Sequence, residues 1–172
     1  MRNKHPLIRY LERIASEEQR SPGALAVLRR GLALPPGTDA AVFPHVVPYL
    51  TENEQRYLFA EFCLTASLFG LHPHCTDEGN MGSHMRLAAG ESTDATERRF
   101  TALLRAHRED LHHHLRQAVS FLGSKHVPVN WARLCWDILD WSHMNGRVQK
   151  AWARGFWGSY PTQDEEKNQN EE

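Results

Sequence analysis

Along almost the whole chain, apolar side chains return every three or four residues. No stretch alternates with the period of two that a half-buried strand requires. That spacing predicts an all-α fold. Leu7, Leu11 and Ile14, with Tyr10 beside them, line one stripe between His5 and Glu18. Ser21 before Pro22 is a helix start, because proline suits the first turn, where its missing N–H costs nothing. Leu25, Leu28 and Leu32 give that helix its face, and Gly31 with Pro35-Pro36-Gly37 ends it. Pro44 and Pro48 keep any helix between Thr38 and Leu50 short. Thr51 and Glu54 are spaced for a capping box, with Leu58, Phe62, Ala66 and Phe69 as one apolar face behind it. Pro73 and Gly79 mark a loop over 70–82, after which Ser83 is expected to cap a short helix reaching Ala89.

Gly90 to Thr93 reads as the boundary between two packed helical bundles, 1–92 and 93–160. Asp94 with Glu97 predicts a second capping box. A single long helix is then expected from Ala95 to Leu122, burying Phe100, Leu103, Leu104, His107, Leu111, Leu115, Ala118 and Leu122. Gly123 and Pro128 close it. Trp131, Leu134, Cys135 and Ile138 supply the next face, Asn145-Gly146 a turn, and Val148, Trp152 and Phe156 the last face. The polar, acidic residues 161–172 are expected to form a disordered tail.

With 172 residues the chain is long enough for a real hydrophobic core. No apolar run approaches the length of a membrane helix, and no secretory signal is visible at the start. Cys63, Cys75 and Cys135 stand alone, an odd number without a disulfide framework, so a reducing cytoplasm is expected.

The net charge of −1 conceals an uneven distribution. Residues 1–94 carry −2, residues 95–160 carry +5 and residues 161–172 carry −4. The basic middle portion predicts an anionic partner. On a helical wheel spanning 95–122, Arg98, Arg105, His112 and Arg116 fall on one flank at intervals of 7, 7 and 4, with Arg108 at its edge. Such a row would run about 27 Å, enough to follow several phosphates. Arginine suits that task because its planar fork grips phosphate oxygens and stays charged. Arg147, Lys150 and Arg154 make a second row opposite the last apolar face, and Arg29-Arg30 a third cluster at a helix end.

The rival reading of each feature is structural. A charged helix flank is commonly just solvated. Of the five tryptophans, Trp131 and Trp152 lie on core faces. Trp136 and Trp141 cannot share one surface for base stacking, and Trp157 is placed for a subunit contact. His72, His74 and Cys75 lack a good fourth zinc ligand, and His112, His113 and His114 diverge around a helix. Asp137 and Asp140 are one turn apart, within reach of a shared metal, yet their tryptophan neighbours favour a packed helix rim. No P-loop, His-Glu-x-x-His helix or Gly-x-Ser-x-Gly elbow is present, so no catalytic residue, metal or cofactor is expected.

Four pieces resemble one family. They are Ser21-Pro22-Gly23-Ala24-Leu25-Ala26-Val27-Leu28-Arg29-Arg30-Gly31 and the helix start at Gly82-Ser83. The third is Glu97-Arg98-Arg99-Phe100 with Leu103-Leu104-Arg105-Ala106-His107-Arg108 and Leu115-Arg116. The fourth is Trp131-Ala132-Arg133-Leu134 after Pro128. In order and spacing they resemble the CasB family, the small subunit of the type I-E CRISPR complex Cascade. The resemblance spans about Ser21 to Trp157. It implies a two-lobed helical protein without catalysis, present as two stacked copies beside other Cascade subunits and crRNA. It also implies a grip on the displaced single-stranded non-target DNA that stabilises the R-loop. Family basic positions fall on Arg30, Arg98 and Arg116, and Arg147, Lys150 and Arg154 are compatible with a further one. A purely architectural adaptor that never touches DNA is the competing expectation.

Overall fold

The computed structural model describes residues 4–90 and 93–158. These residues are α-helical, with short 3-10 turns at Gly31–Ala33, Phe43–His45 and Val47–Tyr49, where Pro44 and Pro48 allow nothing longer. Among them there is no strand, and no helix is long and apolar enough to cross a membrane. Of the expected bundle boundary from Gly90 to Thr93, residues 91–92 lie outside the described residues, as does the acidic stretch 161–172.

The first helix, α1 (Pro6–Ala15), buries Leu7, Ile8, Leu11 and Ile14. His5 caps it, its Nδ1 accepting the Leu7 N–H. Helix α2 (Pro22–Arg30) starts after Ser21 as expected, although the Ser21 side chain makes no capping bond. The Thr51–Glu54 capping box forms in full at α3 (Glu52–Tyr57).

The centre is α4 (Phe59–Leu71). Its residues Phe62 to Gly70 are all buried, so that over this stretch the helix has no single apolar stripe but is covered on every side. Leu58, expected on that stripe, is instead the residue before the helix and half-buried. Helices α1, α2, α7 and α8 surround α4. Against α2 the approach is backbone to backbone: a Cβ on Gly70 would lie 2.6 Å from the Arg29 nitrogen and 2.8 Å from the Leu25 carbonyl oxygen.

Helix α5 (Met81–Ala89) begins earlier than Ser83. Asn80 is its cap, and Ser83 returns the second bond of a capping box three residues on. Helix α6 (Asp94–Leu104) begins at Asp94 itself, with Thr93 ahead of it and no side-chain cap. Helix α7 (Leu111–Ser124), α8 (Trp131–Leu139) and α9 (Arg147–Trp157) complete the order. Helices α5 and α9 cross at two glycines. A Cβ on Gly82 would overlap the Trp152 carbonyl, and one on Gly155 would sit 2.9 Å from the Ser83 nitrogen. Asn80 Nδ2 also donates to the Ala151 carbonyl at 3.1 Å.

The long helix expected over 95–122 is two helices. After Leu104 the chain turns through 105–110 and restarts at Leu111. No proline or glycine marks this break. Tertiary anchors hold it: Trp141 Nε1 donates to the Ala106 carbonyl at 3.0 Å, and Arg108 pairs with Glu61. His107, expected in the buried stripe, lies in the turn and is exposed.

The loop after α4 is tied to the loop before α8. His72 Nε2 donates to the Val127 carbonyl at 2.7 Å, and a parallel β-bridge joins Cys75 to Val129. His84 Nε2 accepts the Asn130 N–H at 3.1 Å. Buried residues from Leu7 to Phe156 form one hydrophobic cluster.

Close packing at the glycine crossing has a measurable cost. Gly82→Ala lowers unfolding free energy by about 3 kcal/mol or more, because backbone must move to admit the methyl. Gly23→Ala, with open space around its Cβ, shifts stability by less than about 1 kcal/mol; denaturant melts of both variants test the contrast. A second prediction concerns pH. Burial pushes His84 down to about 4, below its ordinary 6.5. Between these values the unfolded chain binds the extra proton, so stability is full above 6.5 and falls as pH drops toward 4, by about 3 kcal/mol at most. His72, also lowered by burial, adds a slope of the same sign. Melts across pH 4–7 should flatten in His84→Gln.

Candidate nucleic-acid interface

The break after Leu104 rearranges the predicted basic row. The Arg99 guanidinium, near the start of α6, lies 5.2 Å from the centre of the Phe121 ring, near the end of α7. Arg98 belongs to α6, His112 and Arg116 to α7, and Arg105 closes α6. The cations therefore do not form a single 27 Å line. They stand on two helices, with Arg105 at the C-terminal end of α6, where a positive charge also suits the helix dipole.

Arg116 meets the α2 cluster. Its Nη1 donates to the Leu32 carbonyl at 3.2 Å, in the turn that directly follows Arg29-Arg30. A shallow groove there is lined by Leu32, Leu34, Pro36, His112, His113 and Arg116. The His112 and His113 rings are 3.9 Å apart. Residues 84 positions apart in sequence thus share one surface. Arg29, Arg30 and Arg116 are exposed.

Two of the predicted cations are engaged elsewhere. Arg108 pairs with Glu61 at the start of α4 and also donates to Ser142 Oγ at 3.3 Å, so it pins the α6–α7 turn to the central helix. Arg147 pairs with Asp140. Arg29, Arg30, Arg98, Arg105, Lys150 and Arg154 are exposed and form no ion pair with another described residue. Lys150 and Arg154 lie on the outer face of α9, whose other face buries Val148, Trp152 and Phe156.

Sequence spacing missed Arg99 and Lys125. Both flank the half-buried Phe121 ring, Lys125 Nζ at 6.0 Å from its centre. The available signal was the aromatic at 121 between cations from two helices, visible only once the hairpin is known.

The other candidates hold the fold together. Asp137 is buried, and its oxygens accept from Trp152 Nε1 at 2.6 Å and Arg133 Nε at 2.8 Å. Burial raises its carboxyl above the usual range, although both bonds and the Arg133 charge pull it back. Trp131, Trp141 and Trp152 are buried, whereas Trp136 and Trp157 are partly exposed. Trp157 rests 5.3 Å from Phe100. His72 is bonded to a backbone carbonyl, and among the described residues no three His, Cys, Asp or Glu side chains are grouped to hold a metal ion.

An all-helical body without strands among the described residues, carrying exposed cations at the end of α2 and on α6, α7 and α9, defines the class of protein to be compared. Comparison with known proteins sharpens that class. The family model for CRISPR-associated protein Cse2 matches residues 24–157. A CRISPR-associated protein Cse2 from Thermus thermophilus is 32% identical over 149 residues, 86% of each chain. The crystal structure of CasB from Thermus thermophilus superposes with a TM-score of 0.73 at 30% identity, covering 90% of this chain and 99% of that one. A chain in a structure of a CRISPR RNA-guided surveillance complex superposes with a TM-score of 0.70 at 25% identity, over 87% and 88% of the two chains. The chain belongs to the Cse2 family, also called CasB.

Arg108 is therefore expected to matter for stability. Arg108→Met lowers unfolding free energy by about 1–2 kcal/mol, since it leaves the mostly buried Glu61 carboxylate without its partner. Arg105→Ala, three residues away, changes it by less than about 0.5 kcal/mol. Chemical denaturation of the two variants measures the difference.

Proposed function

We propose that this protein is the small subunit of a CRISPR RNA-guided surveillance complex and holds the displaced non-target DNA strand, stabilising the R-loop. The observation that carries the reading is the convergence of Arg116, from α7, on the turn after Arg29-Arg30, with exposed Arg98 and Arg105 on the adjoining helix. Family membership and the likeness to a chain of a surveillance complex support the setting. In that setting its partners are the other subunits, the crRNA and a second copy of itself.

The mechanism is electrostatic. Each guanidinium that meets a phosphate releases a condensed counterion, a gain independent of base sequence. Sequence is read by guide pairing. Exchanging a DNA duplex for an RNA–DNA heteroduplex is nearly balanced, with base-pair steps worth about 1.4 kcal/mol each. A few phosphate contacts on the freed strand are thus enough to tip the exchange. No catalytic step is needed, and the two carboxylates spaced for a metal are engaged, Asp137 by Trp152 and Arg133, Asp140 by Arg147.

The test uses the assembled complex with guide RNA and target duplex. Arg98→Ala combined with Arg116→Ala shortens R-loop lifetime about tenfold while the subunit still incorporates and melts normally. The salt dependence of binding falls by about 1.4 in the log–log slope, the share of two phosphates on a single strand. Unchanged lifetime and slope would sink the assignment. Photocrosslinking from this subunit to the displaced strand separates the grip from a purely architectural role.

A further inference from the structure

Helix α9 presents Lys150 and Arg154 outward and ends at Trp157, where the Gly158 N–H closes the last turn on the Arg154 carbonyl. Trp157 lies against Phe100, so the chain leaves α9 beside α6, the helix of Arg98 and Arg105. The sequence beyond it is strongly acidic. Residues 161–172 contain Asp164, Glu165, Glu166, Glu171 and Glu172 against one cation, Lys167. A net −4 segment is thus joined directly to a +5 portion of the same chain.

We propose that this acidic segment docks on the cations of α9 and the neighbouring α6 and occupies them until a nucleic acid displaces it. Reach permits it. The fourteen residues 159–172 extend up to about 48 Å, and α9 is only about 16 Å long. Tethering raises the local carboxylate concentration to the millimolar range, so weak carboxylate–guanidinium pairs suffice. The cations that α9 leaves without an ion pair among the described residues supply the complementary charge. The segment acts as a built-in competitor. It lowers affinity for any polyanion by a constant factor and so favours strands offered at high local concentration, as within an assembled complex. The competition half of this inference rests on the strand-holding reading above; the docking half does not.

Docking is read in the isolated full-length chain by zero-length carbodiimide crosslinking at about 50 mM salt. The expected result is intramolecular crosslinks from Glu165, Glu166 or Glu171 to Lys150, in excess over crosslinks to Lys4, and their loss at high salt. Lys4 is the control, because it already pairs with Glu12 and Asp77. No crosslinks to Lys150, or none in excess over Lys4, overturns the docking. Competition is read by titrating a single-stranded oligonucleotide of mixed sequence into wild type and into the full-length variant Asp164→Asn, Glu165→Gln, Glu166→Gln, Glu171→Gln, Glu172→Gln. The variant should bind about three- to tenfold more tightly at low salt, with the gain vanishing near 300 mM, where screening is nearly complete over these distances. Equal affinity at low salt overturns the competition. If neither protein binds the oligonucleotide while the crosslinks form, the strand-holding reading fails and the docked segment stands.

Discussion

One helix without a solvent face organises this molecule. Because Phe62 to Gly70 of α4 are buried all round, α1, α2, α7 and α8 are placed by how they cover that stretch. Covering it closely demands small residues at the contact. Gly70 meets the backbone of α2, and a Cβ on Gly31 would lie 2.6 Å from Val42 Cγ2 and 2.7 Å from Ser67 Oγ. The consequence reaches the surface. By fixing the end of α2 against α4, this packing sets Arg29 and Arg30 at the edge where α7 delivers Arg116. The grouping of Arg29, Arg30 and Arg116 is therefore a by-product of apolar geometry.

Much of the helical order was legible because amphipathic periodicity and caps are local. The starts at Pro22 and Glu52 and the face of α9 derive directly from residues within one or two turns. The missed features are those decided at a distance. A fully apolar helix shows no period from which to infer its neighbours, so α4 looked one-sided. The break at 105–110 carries no glycine or proline, and its anchors, Trp141 and Glu61, are 35 and 47 residues away. A local trace did exist. Arg105 and Arg108 are followed by Glu109 and Asp110, a cationic helix end preceding an anionic helix start, which the dipole favours. Reading that charge reversal as a stop and a start would have divided the helix correctly. The candidate cations were legible as residue types, but which of them remain unpaired was not, since Glu61 and Asp140 are recruited only by the tertiary fold.

The distribution of charge reflects a division of labour between burial and exposure. Cations near the core, Arg108 and Arg133, neutralise carboxylates that burial would otherwise make costly. Those at helix ends and outer faces carry no such duty. Under the proposed strand-holding role these exposed guanidinium groups would recognise charge spacing and little else, so that the surface would discriminate weakly and respond to salt.

The glycine crossing of α5 and α9 also orders events in time. The two helices are about seventy residues apart, and α9 is the final helix among the described residues. At a translation rate of about 5–20 residues per second, the apolar face of α5, with Met81 and Met85, waits about 4–14 s for its cover. The nascent polypeptide cannot complete this part of its core vectorially; it must hold an uncovered groove until α9 has emerged from the ribosome. High contact order at this one junction makes it a natural late step of maturation, and an incomplete product lacking α9 would leave the ribosome with a sticky seam.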